Sequence, residues 1–202
     1  MTVEFAKEPK GCRAALEKGL QALAAGPTPA TQNYLAAVSG ADAPPPLPVY
    51  VLPLDQVAAG NFRSKQKPIA WQYLLVKEGR SVGAAEVQTD LAKQRKGFIF
   101  AAISTAPAAG IANAIELAEK DHNIVAGRYE MRLVRIPAIY VAALWLMDLS
   151  GNKDMYVATP PSPNGLQALA AIPGPEFFKL LRAMATVRLQ AASRRSRGSA
   201  TN

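Results

Sequence analysis

Apolar positions recur along the chain with two different periods, and the change of period divides it. Leu16, Leu20 and Leu23 fall at helical spacing from about residue 13, and Gly26 with Pro27 stops that run. Thr28 before Pro29 has the form of an N-cap followed by Pro at the first helical position. Tyr34, Leu35 and Val38 then supply the apolar side of a second, shorter helix. Residues 1–40 therefore read as an N-terminal helical segment. Pro44, Pro45, Pro46 and Pro48 lock φ and remove backbone donors, which makes 41–48 an extended connector.

Beyond the connector, short runs rich in β-branched and aromatic residues alternate with turn residues, the pattern of a sheet built from local hairpins. Candidate strands are 49–54, 69–77, 81–88 and 98–104, and the few residues around Gly79 leave room only for an antiparallel turn between the second and third. Residues 105–120 carry Ile111, Ala114, Ile115 and Ala118 on one side of a helix. The clearest strand is 128–136, where Tyr129, Met131 and Leu133 alternate with Arg128, Glu130 and Arg132 on a face expected to be wet. Periodicity alone leaves 139–147 open between strand and helix; the turn residues Ser150, Gly151 and Asn152 ahead of a strand-like 155–158 favour a hairpin. Five prolines make 160–175 a loop with one helical turn near 166–171. A last helix, from 175 to about 191, puts Phe177, Leu180, Leu181, Met184 and Val187 on its packing side.

The expected fold is α+β: a mostly antiparallel sheet of five to six strands over residues 49–192, with the middle and C-terminal helices on one face, preceded by the N-terminal helical pair. Residues 193–202 contain no large apolar side chain and are expected to form a disordered basic tail.

Composition narrows the chemistry more than the fold. Half of the 202 residues are hydrophobic, which suits a folded core, but 38 are Ala, so the core rests on scattered larger side chains. One Cys, Cys12, and one His, His122, exclude an internal disulfide and a Cys/His zinc cage, and no metal or cofactor site is expected. The charged residues within the first ten and the absence of an apolar run behind them do not read as a secretory signal, so a cytoplasmic location is the expectation. The longest apolar run, 136–147, contains Pro137 and falls short of the roughly 20 residues a membrane helix needs. The abundance of Ala, Pro and Arg suits a bacterial origin.

The net charge of +8 is unevenly placed: from Glu176 onward six cations face one anion, leaving 17 against 14 before it. Arg194, Arg195 and Arg197 could neutralise phosphates in a salt-sensitive, sequence-independent way, although no aromatic residue is interleaved for base stacking.

Nucleophile elbows, H-E-x-x-H helices, phosphate-binding P-loops and G-x-G-x-x-G turns are all missing from the sequence. Cys12 reads as a small residue of the first helix, and His122 as a polar residue at a helix end. The acidic candidates Glu86, Asp90, Glu130, Asp148 and Asp154 sit on or beside expected strands; Glu86, between small apolar neighbours, needs a partner, with Arg132 or Arg128 in reach of that role. Trp71, Tyr73, Arg128, Glu130 and Arg132 are the candidate ligand-binding residues, Trp71, Tyr73 and Arg132 lining a concave sheet face.

These features favour a non-catalytic binding or assembly module acting on a protein partner or on a second copy of itself. A nucleic-acid-associated protein using its basic C-terminus is one alternative. An enzyme whose carboxylate, Tyr and Arg residues meet only in three dimensions is another.

Overall fold

In the computed structural model, which describes residues 3–26, 28–60, 67–90, 97–151 and 153–198, the alternating sequence around Met131 becomes the spine of a nine-stranded sheet. The chain runs through β1 (Val3–Phe5), α1 (Cys12–Ala25), α2 (Pro29–Val38), β2 (Leu47–Val51), α3 (Leu54–Ala59), β3 (Ala70–Lys77), β4 (Arg80–Asp90) and β5 (Gly97–Ser104). It continues through α4 (Ala106–Lys120), α5 (His122–Val125), β6 (Tyr129–Ile136), β7 (Val141–Asp148), β8 (Met155–Ala158), β9 (Ala171–Pro173) and α6 (Gly174–Gly198), with a single 3-10 turn, Pro137–Ile139, joining β6 to β7. The spatial order is β5-β4-β3-β2-β6-β7-β8-β9, and β1 pairs with the end of β6 that β2 leaves free.

The architecture is α+β, but the sheet is larger and more mixed than the expected five to six mostly antiparallel strands. β1 and β2 both run parallel to β6; the other six pairings are antiparallel. β1 and β9 are three residues each, too short for a period-two pattern to emerge from the sequence. The helical pair is preceded by β1, and the end of the proline-rich connector is itself strand, Leu47 and Pro48 lying opposite Gln72 and Trp71. The hairpin favoured over 139–158 forms as β7–β8, with Trp145 opposite Tyr156, and β6 pairs antiparallel with β7 on the other side, Arg132 opposite Trp145. Thr28 caps α2 as expected, reciprocally with Thr31: its backbone N–H donates to Thr31 Oγ1 at 2.8 Å, and the Thr31 N–H donates to Thr28 Oγ1 at 3.3 Å.

The helices do not share one face. Ile111, Ala114 and Ala118 of α4 pack with Leu74, Met131, Leu133 and Leu144. Phe177 and Leu181 of α6 pack with Val134, Ile136, Ala143 and Tyr156. Successive strand residues point to opposite faces, so Leu133 and Val134 assign α4 and α6 to opposite sides of the sheet. By the same alternation along β3, the cluster of Cys12 and Leu16 from α1 with Trp71, Tyr73 and Leu75 lies on the α6 side. β6 is thus buried on both faces. The expectation of a wet face failed because Glu130 and Arg132 are covered by each other and by aromatic rings.

α6 continues to Gly198, so residues 193–198 extend the helix where a disordered tail was expected. Each added helical residue brings one backbone hydrogen bond, which lets Ala- and Arg-containing sequence prolong an anchored helix without burying apolar area. Residues 199–202 of that expected tail lie outside the described residues.

Candidate functional site

On the α6 side of the sheet an aromatic row crosses four strands. Tyr50 of β2 meets Trp145 of β7 edge-on, 5.2 Å between centroids; Trp145 stacks on Tyr156 of β8 at 6.1 Å, and Tyr156 on Phe177 of α6 at 4.5 Å. The register β6–β7–β8 places Arg132, Trp145 and Tyr156 in one cross-strand line, which is why the row is continuous. Arg132 is inserted into it, its guanidinium carbon 5.3 Å from the Tyr50 centroid and 4.8 Å from that of Trp145. Its Nε donates to Glu130 Oε1 at 2.8 Å and Nη2 lies 2.7 Å from the same oxygen. Trp145 Nε1 donates to Asp154 Oδ2 at 2.9 Å, so the polar edge of the ring is satisfied as well. Burial drives the Tyr156 hydroxyl well above its ordinary pKa, with the Asp154 charge adding to the effect. That phenol is no acid or base near neutral pH.

Trp71 and Tyr73 lie on the same sheet face as Arg132 but belong to a separate cluster beneath α1. Tyr73 is fully buried; its hydroxyl donates to Glu8 Oε1 at 2.7 Å, and the Arg13 guanidinium lies 5.0 Å over its ring. Arg13 Nη2 donates to Glu8 Oε2 at 2.9 Å. Burial acts to raise the Glu8 carboxyl, but hydrogen bonds from Arg13 and Tyr73 and the Arg13 charge outweigh it and hold the group below its usual value. Burial, the largest influence on it, pushes the Cys12 thiol up. Cys12 is fully enclosed, so the pair of shifts describes a structural polar knot and an inert thiol.

The expected partner of Glu86 is corrected. Arg135 Nη1 donates to Glu86 Oε2 at 2.6 Å and Nη2 to Gln72 Oε1 at 2.7 Å, while Gln72 Nε2 donates to the Ala85 carbonyl at 2.9 Å. Glu86 lies opposite Gln72, and Arg135 extends odd-numbered β6 toward them; Arg132 and Arg128, even-numbered, project from the other face. Arg128 is exposed and pairs with Glu4 of β1 at 2.8 Å. Asp148 and Asp154 scaffold the β7–β8 turn: Asp148 accepts from the Ser150 and Lys153 backbones, and Asp154 from the Asp148 backbone. Asp90 ends β4, and His122 opens α5 behind the Asp121 cap. Among the described residues no three His, Cys, Asp or Glu side chains form a metal-binding group, and no helix is long and apolar enough to cross a membrane.

A groove that the sequence did not foretell lies where the buried contacts of α6 run out. Between the β6–β7 turn and α6 lies an apolar groove of about 620 Å³, lined by Ile139, Tyr140, Leu180, Met184, Val187 and Arg188 among others. Arg188 is the one charged residue among its described lining residues. Val187, expected to pack, is 67% exposed, because the buried contacts of α6 stop at Phe177, Leu181 and Ala185. Tyr140 is 77% exposed at φ +54°, a left-handed conformation that bulky side chains rarely adopt. The legible signal was an aromatic residue directly after Pro137–Ile139, at the tip of a hairpin. Arg194, Arg195 and Arg197 stand on the last turns of α6, and their side chains lie outside the described residues. No protein family, curated protein or solved structure matches the chain.

Proposed function

We propose that the chain is a non-catalytic binding module that seats an amphipathic, acidic segment of a partner protein in the groove between Tyr140 and α6. The observation that carries this reading is Tyr140: a left-handed backbone costs roughly 1–2 kcal/mol for a residue with a Cβ, and a ring left 77% exposed gains no burial in return. A residue kept there at that cost is accounted for by contact with something outside the chain. The groove is apolar along Leu180, Met184 and Val187 and carries a positive charge at Arg188, so an amphipathic helix with a carboxylate at its flank fits its chemistry.

The polar clusters support the same reading from the opposite direction. Arg13, Arg132 and Arg135 each pair with a carboxylate of the chain itself, at 2.9, 2.7 and 2.6 Å. Carboxylates so engaged are poor candidates for acid–base chemistry. The nucleic-acid reading would be favoured by a positive stripe along α6; Lys179 and Arg182 share one side of the helix, whereas Arg188 stands half a turn from Lys179, beside the groove.

A fluorescently labelled synthetic peptide with leucines at i, i+3 and i+7 and glutamates between them tests the proposal by anisotropy, against the same peptide carrying lysines. Saturable binding of the acidic peptide that weakens at least about tenfold in Val187→Asp and Tyr140→Ser supports it. Equal binding of both peptides, or no loss in the variants, contradicts it.

A further inference from the structure

One side of α6 changes character along its length. Leu180, Met184 and Val187 line the groove with apolar side chains, and Arg188 and Ala191 follow them along the helix. Arg195 comes seven residues after Arg188, close to two full turns, and so continues the same line. Ala185 is the last residue of α6 buried among those described, and every residue from 186 to 193 is exposed. The helix nonetheless runs on to Gly198, roughly 20 Å past Ala185. After Glu176 the sequence contains no acidic residue. Arg13, Arg128, Arg132 and Arg135 each bind a carboxylate of the chain, whereas Arg188 has no ion pair among the described residues.

We propose that the partner segment is a helix of about four turns lying antiparallel to α6, with carboxylates in its first two turns beside Arg188 and Arg195 and apolar side chains in its last two against Val187, Met184 and Leu180. This inference rests on the reading of the groove as a partner site and adds a direction to it. Charge decides which end of the segment lies where. Carboxylates set over Leu180 and Met184 would lose their water without gaining a cation, and leucines set over the arginines would leave the charges unanswered. Helix electrostatics then decides the direction of the chain. The free amides at a helix N-terminus make that end positive, so carboxylates stabilise the first turns of a helix and destabilise the last. A segment that becomes helical on docking therefore docks best when its acidic end is also its N-terminus. With the acidic end at Arg195 the segment runs antiparallel to α6, which also opposes the two helix dipoles favourably. The small side chain of Ala191, between the two arginines, lets the acidic turns come close. A nucleic acid would use the arginines but leave Leu180, Met184 and Val187 uncovered.

Two labelled synthetic peptides of about 16 residues and identical composition, blocked at both termini, test the proposal by anisotropy against the full chain. One carries glutamates in its first two turns and leucines in its last two; the other has the reverse order. A nitroxide on the first residue of the glutamate-first peptide reads the direction through the broadening of backbone amide signals. The expected result is at least about fivefold tighter binding of the glutamate-first peptide, and at least about fivefold weaker binding of it by Arg195→Glu. The nitroxide should broaden residues 191–198 most and Leu180 least. Arg195 stands beyond the last buried contact of α6, so its replacement leaves the fold intact. Equal or tighter binding of the reversed peptide, indifference to Arg195→Glu, or broadening centred on Leu180 overturns the direction and leaves the groove as a partner site. No saturable binding of either peptide removes both. A DNA duplex bound more tightly than either peptide, and released by Arg195→Glu, assigns these turns to nucleic acid and overturns the proposal as well.

Discussion

The guanidinium of Arg132 lies 4.8 Å over the ring of Trp145, its direct cross-strand neighbour, while Glu130 two residues away on the same strand binds its edge. The cation is held by stacking and by an ion pair simultaneously. Replacing it with Ala removes both and leaves a half-buried carboxylate, for an expected loss of about 2 kcal/mol after allowance for solvent. Arg132→Lys, which keeps the charge but not the flat stacking surface, should lose less. Urea denaturation checks this; an Ala variant as stable as the natural chain would mean that Arg132 serves a ligand and not the fold.

On the α4 side, Arg135 bridges Glu86 and Gln72. Arg135→Ala leaves the Glu86 carboxylate, its side chain only 14% exposed, without its cation and with Gln88 Nε2 as a remaining donor at 2.9 Å, and is expected to cost about 2 kcal/mol. The double variant Glu86→Leu, Arg135→Leu should recover much of that loss, since it removes the orphaned charge. A double-mutant cycle by chemical denaturation measures the coupling, and strictly additive effects would contradict the pairing.

Glu8 supplies a pH dependence. Its carboxyl is held below the ordinary value of 4.5, so the stabilisation it gives is fully present above that pH and is lost as the pH falls through the lower, folded value. Glu8→Gln should be less stable near neutrality and show a shallower loss of stability in acid. Identical acid limbs for the two proteins would rule out the Arg13–Tyr73 cradle as its cause.

Gly19 sits mid-helix in α1, where Ala would ordinarily add about 1 kcal/mol. Here a Cβ would lie 2.1 Å from Phe100 Cγ and 2.3 Å from its Cβ, too near the β5 backbone for a rotamer change to relieve. Gly19→Ala is therefore expected to lower stability, by about 1 kcal/mol net of the helical gain. A raised melting temperature would show that α1 does not approach β5 this closely.

Much of the secondary structure was legible in the sequence, because its long elements carry unambiguous periods: Ile111, Ala114 and Ala118 in α4, or Tyr129, Met131 and Leu133 in β6. The tertiary assignment was less so. Sequence alternation marks the even residues of β6 as polar, but not that Glu130 and Arg132 satisfy each other under aromatic cover, and that difference decides on which face α6 packs. Of the ligand-binding candidates, Glu130 and Arg132 come together with Tyr50 and Trp145, Trp71 and Tyr73 form their own cluster, and Arg128 is outlying. Tyr50 and Trp145 read locally as ordinary core residues; the pairing of β2, β6 and β7 assembles them, and one strand's pattern says which residues share a face but not which strand lies beside it. The groove at Tyr140 left only that aromatic after Pro137–Ile139 as its trace in the sequence, for a related reason: it is defined by where the buried stripe of α6 stops, a property of the sheet's extent and not of the helix.

The binding reading is tested most directly by recording backbone amide shifts of the isotopically labelled chain during titration with the acidic leucine peptide. Shifts confined to Tyr140, Leu180, Met184, Val187 and Arg188 are predicted, with the indole signal of Trp145 unmoved. Shifts centred instead on Tyr50, Glu130, Arg132 and Trp145 would contradict the account and make the aromatic row the binding site.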